Sequence, residues 1–266
     1  MFKDITLGQY YPADSVLHRL DPRTKFVGTL AFIIAIFVFH TIPGYLVATV
    51  FLGSVILLSR IPPKIIFKGL KGVFMLLLVT LLFNLLLTPG EPLMQLGFLR
   101  ITREGLTMAG KMAIRLIYLV TGSSIMTLTT TPNQLTNAME SLMRPLKRIH
   151  VPVHEISMMM SIALRFIPIL MEETDKIMKA QIARGADFES GGLIQKVKNM
   201  IPLLVPLFIS AFRRANDLAM AMEARCYHGG ENRTQMKPLR YDMRDYIAYG
   251  ILGGFLLVAV IMRVLS

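Results

Sequence analysis

The sequence predicts an all-α, polytopic membrane protein with about five transmembrane helices, two long kinked cytoplasmic helices and a shorter one. Of the 266 residues, 53% are hydrophobic and only 17% are charged, whereas soluble domains carry about 25% charged residues. The mean hydropathy is +0.54. The apolar residues form long runs separated by Pro, Gly and basic clusters, a pattern typical of successive membrane spans.

Five apolar runs are candidates for membrane spans. The first is shorter than the usual ~20 residues, and we expect Lys25 at its start to extend towards the interface. Turn-forming residues and charged loops separate the runs. The five predicted spans are Phe26–Phe39, Tyr45–Ser59, Val73–Leu87, Leu106–Leu128 and Tyr246–Val264.

The charge distribution predicts the orientation. The loop between the second and third spans carries Arg60, Lys64, Lys68 and Lys71 and no acid. By the positive-inside rule this loop and the N-terminal segment are cytoplasmic. The same rule explains most of the net charge of +12, so we expect the lipid bilayer, and no nucleic acid, as the surrounding partner.

Between residues 132 and 245 the sequence becomes more polar. Helices are predicted at Asn133–Leu142, Val153–Ala183 and Leu193–Ala224. The two long ones begin apolar and end amphipathic, and their interior prolines predict kinks. We therefore divide the chain into 1–131 (N-terminal segment and four spans), 132–245 (cytoplasmic helices) and 246–266 (final span). The sequence does not determine whether 153–169 enters the membrane.

The two long helices end in similar motifs, Ala183-Arg184-Gly185 and Ala224-Arg225-Cys226. Small residues around one arginine allow another surface to approach closely, and the guanidinium is a rigid fork of donors suited to carboxylates and carbonyls. The alternative is that the motifs are only helix C-caps with a favourable cation. The repetition at matched positions favours a binding role without excluding the caps.

The long helices also carry apolar faces beyond their motifs. Methionine-rich surfaces adapt to partners of variable shape, whereas ordinary helix-on-helix packing is the alternative interpretation. The candidate partner-binding residues are Met158, Met159 and Met160 on the first long helix, and Phe212, Ala215, Leu218, Ala219 and Met222 on the second.

Motifs for catalysis are missing. The sequence contains no P-loop for ATP, no zinc-binding pattern around its one cysteine and no nucleophile elbow, so we expect neither enzyme activity nor a cofactor or metal. Lys111 and Arg115 lie in the first half of the fourth predicted span, where snorkelling or pairing within the bundle is favoured over a substrate role. The other spans lack Asp and Glu, which argues against an ion-coupled carrier.

The N-terminal run from Gly8 to Lys25, with its Asp21-Pro22-Arg23-Thr24-Lys25 end, resembles the start of the transmembrane T component of bacterial energy-coupling factor (ECF) transporters, the CbiQ/EcfT family. The paired motifs at the helix tips match the two coupling motifs of that family, although the second ends in Cys226 rather than glycine. The resemblance covers nearly the whole chain.

This resemblance implies a non-catalytic subunit in a bacterial plasma membrane. Two ABC-type ATPases would bind the motifs through Arg184 and Arg225, and the apolar faces would hold an S component that captures a vitamin or metal ion. The alternatives are a self-contained secondary transporter, which predicts intramembrane acids and broken spans, and an ordinary ABC permease, which predicts a single short coupling helix.

Overall fold

The computed structural model describes residues 10–39, 41–90, 92–96, 99–188, 192–229 and 238–264. It is predominantly helical, as predicted. In chain order the elements are α1 (Val16–Arg19), α2 (Pro22–Val38), α3 (Ile42–Ser59), α4 (Pro63–Leu87), β1 (Pro92–Leu96), β2 (Leu99–Thr102), α5 (Arg103–Thr129), α6 (Pro132–Met143), a 3₁₀ helix (Arg144–Ile149), α7 (Val153–Ala183), α8 (Leu193–Ala224) and α9 (Met243–Val264).

The chain forms two compact units. We call the described residues of Gly8–Ala138 and Leu239–Ser266 the membrane unit, and those of Met139–Pro238 the helix-pair unit. The division of function among 1–131, 132–245 and 246–266 stays a prediction.

A short antiparallel hairpin, β1–β2, was not predicted. It lies between the third and fourth predicted spans and pairs Met94 with Ile101 and Leu96 with Leu99. Two short apolar segments flanking a glycine are the sequence signal for such a hairpin, but the neighbouring charges and breakers favoured a loop. The hairpin leaves the helical class of the fold unchanged.

An aromatic core holds the membrane unit together. The rings of Phe51 and Phe255 stack with centroids 4.3 Å apart, and Phe32 and Phe39 contact the same Phe255 ring at 6.0 and 5.9 Å. Small residues at buried positions, such as Ala48, allow the backbones to approach closely. This core joins α2, α3, α5 and α9, and α4 packs against α5.

Five helices of the described chain, α3, α4, α5, α7 and α9, are long and apolar enough to cross a membrane. The number agrees with the prediction, but the set differs from it. The first predicted span coincides with α2, which has 17 residues and is shorter than the five, so its crossing stays a prediction. Conversely, α7 is long and apolar enough to be a span. It contains 153–169, the segment whose entry into the membrane the sequence leaves open.

A buried polar cluster ties the N-terminal segment to the ends of two helices. The Lys25 ammonium donates to the carbonyls of Thr129 at 2.9 Å and His18 at 3.2 Å. Asp245, 1% exposed, accepts the backbone N–H of Asp21 at 2.9 Å. The motif that resembles the T-component box thus closes the junction of α2, α5 and α9.

His18 has a defined protonation state within this cluster. Burial lowers the pKa of His18 below its ordinary value, so the ring is neutral at pH 7. The Tyr11 carbonyl, 3.0 Å from Nε2, can only accept, so Nε2 carries the hydrogen. The Ser15 hydroxyl, 2.6 Å from Nδ1, then donates to the ring.

The charged residues of the fourth predicted span have different surroundings. The guanidinium of Arg115 donates to the Phe39 carbonyl at 3.3 Å and to the Tyr45 hydroxyl at 3.1 Å. It therefore pairs within the bundle, at the connection between α2 and α3. Lys111, one helical turn earlier, is exposed.

The helix-pair unit is built mainly from α7 and α8. Their bounds are those predicted from the sequence, while α6 extends one residue beyond the predicted Asn133–Leu142 at each end. Both long helices continue through their interior prolines, Pro168, Pro202 and Pro206. The predicted kinks themselves stay a prediction.

Candidate functional site

The tip of α7 is a helix C-cap built around Arg184. Gly185 follows with φ +86°, the left-handed conformation that glycine adopts without steric cost. The N–H of Gly185 donates to the Ile182 carbonyl and the N–H of Ala186 donates to the Gln181 carbonyl, both at 2.9 Å. These two bonds define a Schellman motif, which satisfies carbonyls that the end of a helix leaves unpaired.

The tip of α8 has the same backbone arrangement. The N–H of Cys226 donates to the Glu223 carbonyl at 2.9 Å, and the N–H of Tyr227 donates to the Met222 carbonyl at 3.0 Å. Arg225 takes the C-cap position of Arg184, and Cys226, with φ +56°, takes that of Gly185. A cysteine in this conformation costs roughly 1–2 kcal/mol, because its Cβ approaches the following carbonyl oxygen.

The capping interpretation and the binding interpretation are therefore compatible. The caps fix the backbone, and the arginine side chains extend from it. All six candidate ATPase-binding residues are exposed: Ala183, Arg184, Gly185, Ala224, Arg225 and Cys226. Among the described residues, neither Arg184 nor Arg225 forms an ion pair. Each motif thus presents a guanidinium on a fixed helix end, next to a residue with a small side chain or none.

A side chain beside the first tip binds the proline-rich part of α8. Because Pro206 has no N–H, the carbonyl of Pro202 loses its usual partner within the helix. The Gln181 amide donates to that carbonyl at 3.3 Å. The first motif is therefore linked to the position where α8 has an open acceptor.

An ion pair links the same two helices further from the tips. Arg214 of α8 donates to the Glu173 carboxylate at 2.9 Å, and both side chains are partly exposed. Such a pair contributes about 0.2–1 kcal/mol, so it selects how α7 and α8 align more than it holds them together.

The predicted apolar partner surface is divided in the structure. Met158, Leu218 and Met222 line one cleft of about 620 Å³ between α7 and α8, together with Ile162 and the segment 225–229. The second motif therefore lines a cleft of mixed polarity within its own unit. The remaining predicted residues are exposed: Met159, Met160, Phe212, Ala215 and Ala219.

Sequence reasoning missed most of a longer exposed stripe, which covers the first two-thirds of α8 and includes only Phe212 of the predicted residues. Its members recur at helical spacing and are each at least half exposed, up to 86% for Ile194. They are Ile194, Val197, Ile201, Val205, Phe208 and Phe212. The signal in the sequence is the apolar run from Met200 to Phe212, but composition alone does not divide such a run into a packed and an exposed face.

The described residues contain no candidate metal site. No group of three His, Cys, Asp or Glu side chains there is placed to hold a metal ion. His154, a residue of the incomplete H-E-x-x-H pattern, contacts the Glu140 carboxylate at 3.0 Å, and Ser157 donates to the same carboxylate at 2.9 Å. These contacts anchor the start of α7 to α6.

Comparison with known proteins gives consistent results. The model of the CbiQ family, described as cobalt transport protein, matches residues 13–236. The chain is 56% identical over 250 residues to the energy-coupling factor transporter transmembrane protein EcfT of Clostridium kluyveri, with 93% of each chain covered. It is 53% identical to the EcfT of Thermosediminibacter oceani, with 98% of each covered. It is 46% identical to that of Bacillus subtilis, with 92% of this chain and 93% of the relative covered.

Proposed function

Because the chain belongs to the EcfT family of energy-coupling factor transporter transmembrane proteins, we propose that it couples two ABC-type ATPases to a membrane-embedded S component. It catalyses no reaction itself: the ATPases bind and hydrolyse ATP, and the S component binds a vitamin or metal ion. The movement of the coupling helices on hydrolysis then releases the substrate towards the cytoplasm.

The observation that carries this proposal is the matched pair of helix tips. Two helices end in the same capped backbone, and each presents one exposed arginine. Two equivalent contacts suit a dimer of similar ATPases. Because a guanidinium donates in a fixed plane, each tip is suited to carboxylates or to carbonyls at a helix end of the partner.

The exposed apolar stripe of α8 supports the second partnership. We propose that the S component rests on this stripe and on Met159 and Met160, rather than on all of the predicted residues. Met158, Leu218 and Met222 are turned to the cleft between α7 and α8. They are then available to adjust the packing of the two helices when the tips move.

The two alternatives have less support. A secondary transporter would need titratable groups within its spans, and the Arg115 charge is engaged by the Phe39 carbonyl and the Tyr45 hydroxyl. An ordinary ABC permease would need one short coupling helix, whereas α7 and α8 have 31 and 32 residues. The predicted basic loop is in the structure the connection 60–62 followed by the first turns of α4, which carry Lys64, Lys68 and Lys71. On the basis of these basic residues we propose a bacterial plasma-membrane location with a cytoplasmic N-terminus.

The test is the double variant Arg184→Glu and Arg225→Glu. We expect it to insert into the membrane and to lose co-purification of both ATPases, because acidic side chains would be repelled by the carboxylates or carbonyls that bind arginine. The matched control is Arg165→Glu with Arg213→Glu, which makes the same charge change at exposed positions of α7 and α8. If the complex survives the tip variant intact, the anchoring role is wrong.

The S-component surface is tested separately by Met159→Asp with Met160→Asp. We expect loss of the S component and retention of the ATPases, because a buried carboxylate without a partner is strongly unfavourable at an apolar interface. Equal loss of both partners would show instead that these residues support the helix-pair unit itself.

A further inference from the structure

A narrow groove of about 270 Å³ runs among α1, α2, α3, α5 and α9 within the membrane unit. Most of its lining is aliphatic or aromatic. Characteristic lining residues are Leu20, Gly28, Phe32, Phe51, Ile125 and Leu252. The groove is distinct from the helix tips, and neither the ATPases nor the S component is needed to explain it.

The groove is open to the outside of the unit. Four of its lining side chains are more than half exposed: Val16 at 52%, Leu58 at 51%, Ile247 at 58% and Ile251 at 59%. Three of them, Leu58, Ile247 and Ile251, lie on α3 and α9, which are long and apolar enough to span a membrane. The open side is therefore accessible to lipid.

The charged residues that line the groove are both cationic, Lys25 and Arg244. The Lys25 side chain is buried, and an ammonium has three donors, two of which bind the carbonyls of His18 and Thr129. Arg244 is half exposed, and its Nε lies 4.0 Å from the Asp242 carboxylate, the outer limit of an ion pair.

The acids near this end are engaged by other groups. Asp21 binds the Arg23 guanidinium at 2.9 Å. Asp245 accepts the backbone N–H groups of Asp21 and Asp242, each at 2.9 Å. Both carboxylates also interact with the Lys25 ammonium. The groove thus combines an apolar length, an opening to lipid and one half-exposed cationic side chain, Arg244.

We propose that this groove binds one acyl chain of an anionic phospholipid, whose phosphate lies at Arg244 and Lys25. One basic side chain near the membrane surface favours an anionic lipid about fivefold. Asp21 and Asp245 offset the charge of Lys25, so Arg244 supplies this preference, and a hydrocarbon chain fills the apolar length. The bound lipid would join α1 to α3 and α9, at the junction closed by the N-terminal motif. The inference requires only that the chain resides in a membrane.

A substitution at Gly28 can fill the groove without disturbing its walls. It lines the groove, and a Cβ built at this position meets no atom within 4 Å. Gly28→Leu therefore places a side chain in the space assigned to the lipid, and it favours the helix over glycine. Gly72→Leu on α4 is the matched control, because Gly72 is also helical, has equal space and lies outside the groove lining.

The experiment uses the full-length chain in phosphatidylcholine nanodiscs that carry a trace of photoactivatable phosphatidylglycerol or phosphatidylcholine. Cross-linked peptides are identified by mass spectrometry. We expect phosphatidylglycerol to label the groove peptides about fivefold more than phosphatidylcholine. Gly28→Leu should abolish this labelling, Gly72→Leu should leave it unchanged, and Arg244→Gln should bring the two lipids close to equality.

Two results would overturn the proposal. Equal labelling by both lipids in the unaltered chain would mean contact with bulk lipid only. Undiminished labelling of the groove peptides in Gly28→Leu would mean that the lipid binds elsewhere. Either result leaves co-purification of the ATPases unaffected, so failure of this inference is distinguishable from failure of the coupling role.

Discussion

The membrane unit and the helix-pair unit bury their apolar residues to very different extents. In the membrane unit, α2, α3, α5 and α9 surround a continuous core in which three phenylalanines contact Phe255. In the described part of the helix-pair unit, only Val153, Ser157 and Leu203 are buried. Long apolar side chains such as Phe208, 61% exposed, remain on its surface.

This difference indicates how each unit is stabilised. Lipid can cover the outer face of the membrane unit, so its core suffices to order the helices. The helix-pair unit has few buried apolar side chains, and polar contacts such as those made by Glu140 and Arg214 position its helices. Its exposed apolar side chains form a stripe along α8, and contiguous apolar surface of this kind marks sites that partners or membranes cover.

The largest expected effect comes from Phe255→Ala. Removing a buried ring that contacts three others leaves a cavity, and such substitutions cost about 3–5 kcal/mol. The matched variant, Phe208→Ala, removes an exposed ring of the helix-pair unit, so we expect less than about 1 kcal/mol for the isolated chain. The measurement is the free energy of unfolding in mixed detergent micelles.

In a binding measurement, the two variants should rank in the opposite order. Phe208→Ala should weaken S-component retention, whereas Phe255→Ala should leave retention intact at temperatures where the chain is folded. If Phe208→Ala destabilises the isolated chain as much as Phe255→Ala does, the exposed stripe is part of a core and the comparison fails.

A second, intermediate effect is expected at the start of α7. Glu140→Ala removes the acceptor of both the His154 ring and the Ser157 hydroxyl, and unsatisfied buried donors cost about 1–3 kcal/mol. The loss should appear as faster amide hydrogen exchange in the first turns of α7. Glu172→Ala, at an exposed position of the same helix, is the control.

Retention of exchange protection at α7 in Glu140→Ala would mean that apolar contacts, not the polar ones, hold this helix start. The same exchange measurement also compares the alanine variant with Glu140→Gln, which retains one acceptor oxygen. We expect the glutamine variant to lie between the alanine variant and the unaltered chain.

The sequence predicted the bounds of the long helices. It did not predict which side of a helix is exposed, nor the pairing of two short strands. The bounds of α7 and α8 were predictable, because Gly185 and the Gly191-Gly192 pair interrupt a helical pattern. The hairpin at 92–102 was missed because its two strands are short and lie among charges and breakers. The side of α8 that remains exposed was assigned to Phe212–Met222, because composition reveals an apolar stripe but not which neighbour covers it.

The two helix tips show the same limit of sequence-based prediction at the level of single residues. In the sequence, Cys226 is a small residue in place of the glycine of the first motif. The backbone adds that position 226 requires a positive φ, as position 185 does. The departure from glycine therefore has an energetic consequence that the sequence pattern did not contain.

The smallest expected effect tests that consequence. Cys226→Gly removes the left-handed penalty and should stabilise the last turn of α8 by about 1 kcal/mol, reduced by the greater freedom of glycine in the unfolded chain. Gly185→Ala should destabilise the last turn of α7 by a similar amount. The added Cβ meets no atom within 4 Å, so this cost comes from the backbone conformation alone.

Amide exchange of 180–183 and 221–224 measures both changes, and opposite signs are required. A loss of protection at α8 in Cys226→Gly would mean that the cysteine side chain itself stabilises the cleft that it lines with Tyr227 and Met222, and that the two tips are not equivalent.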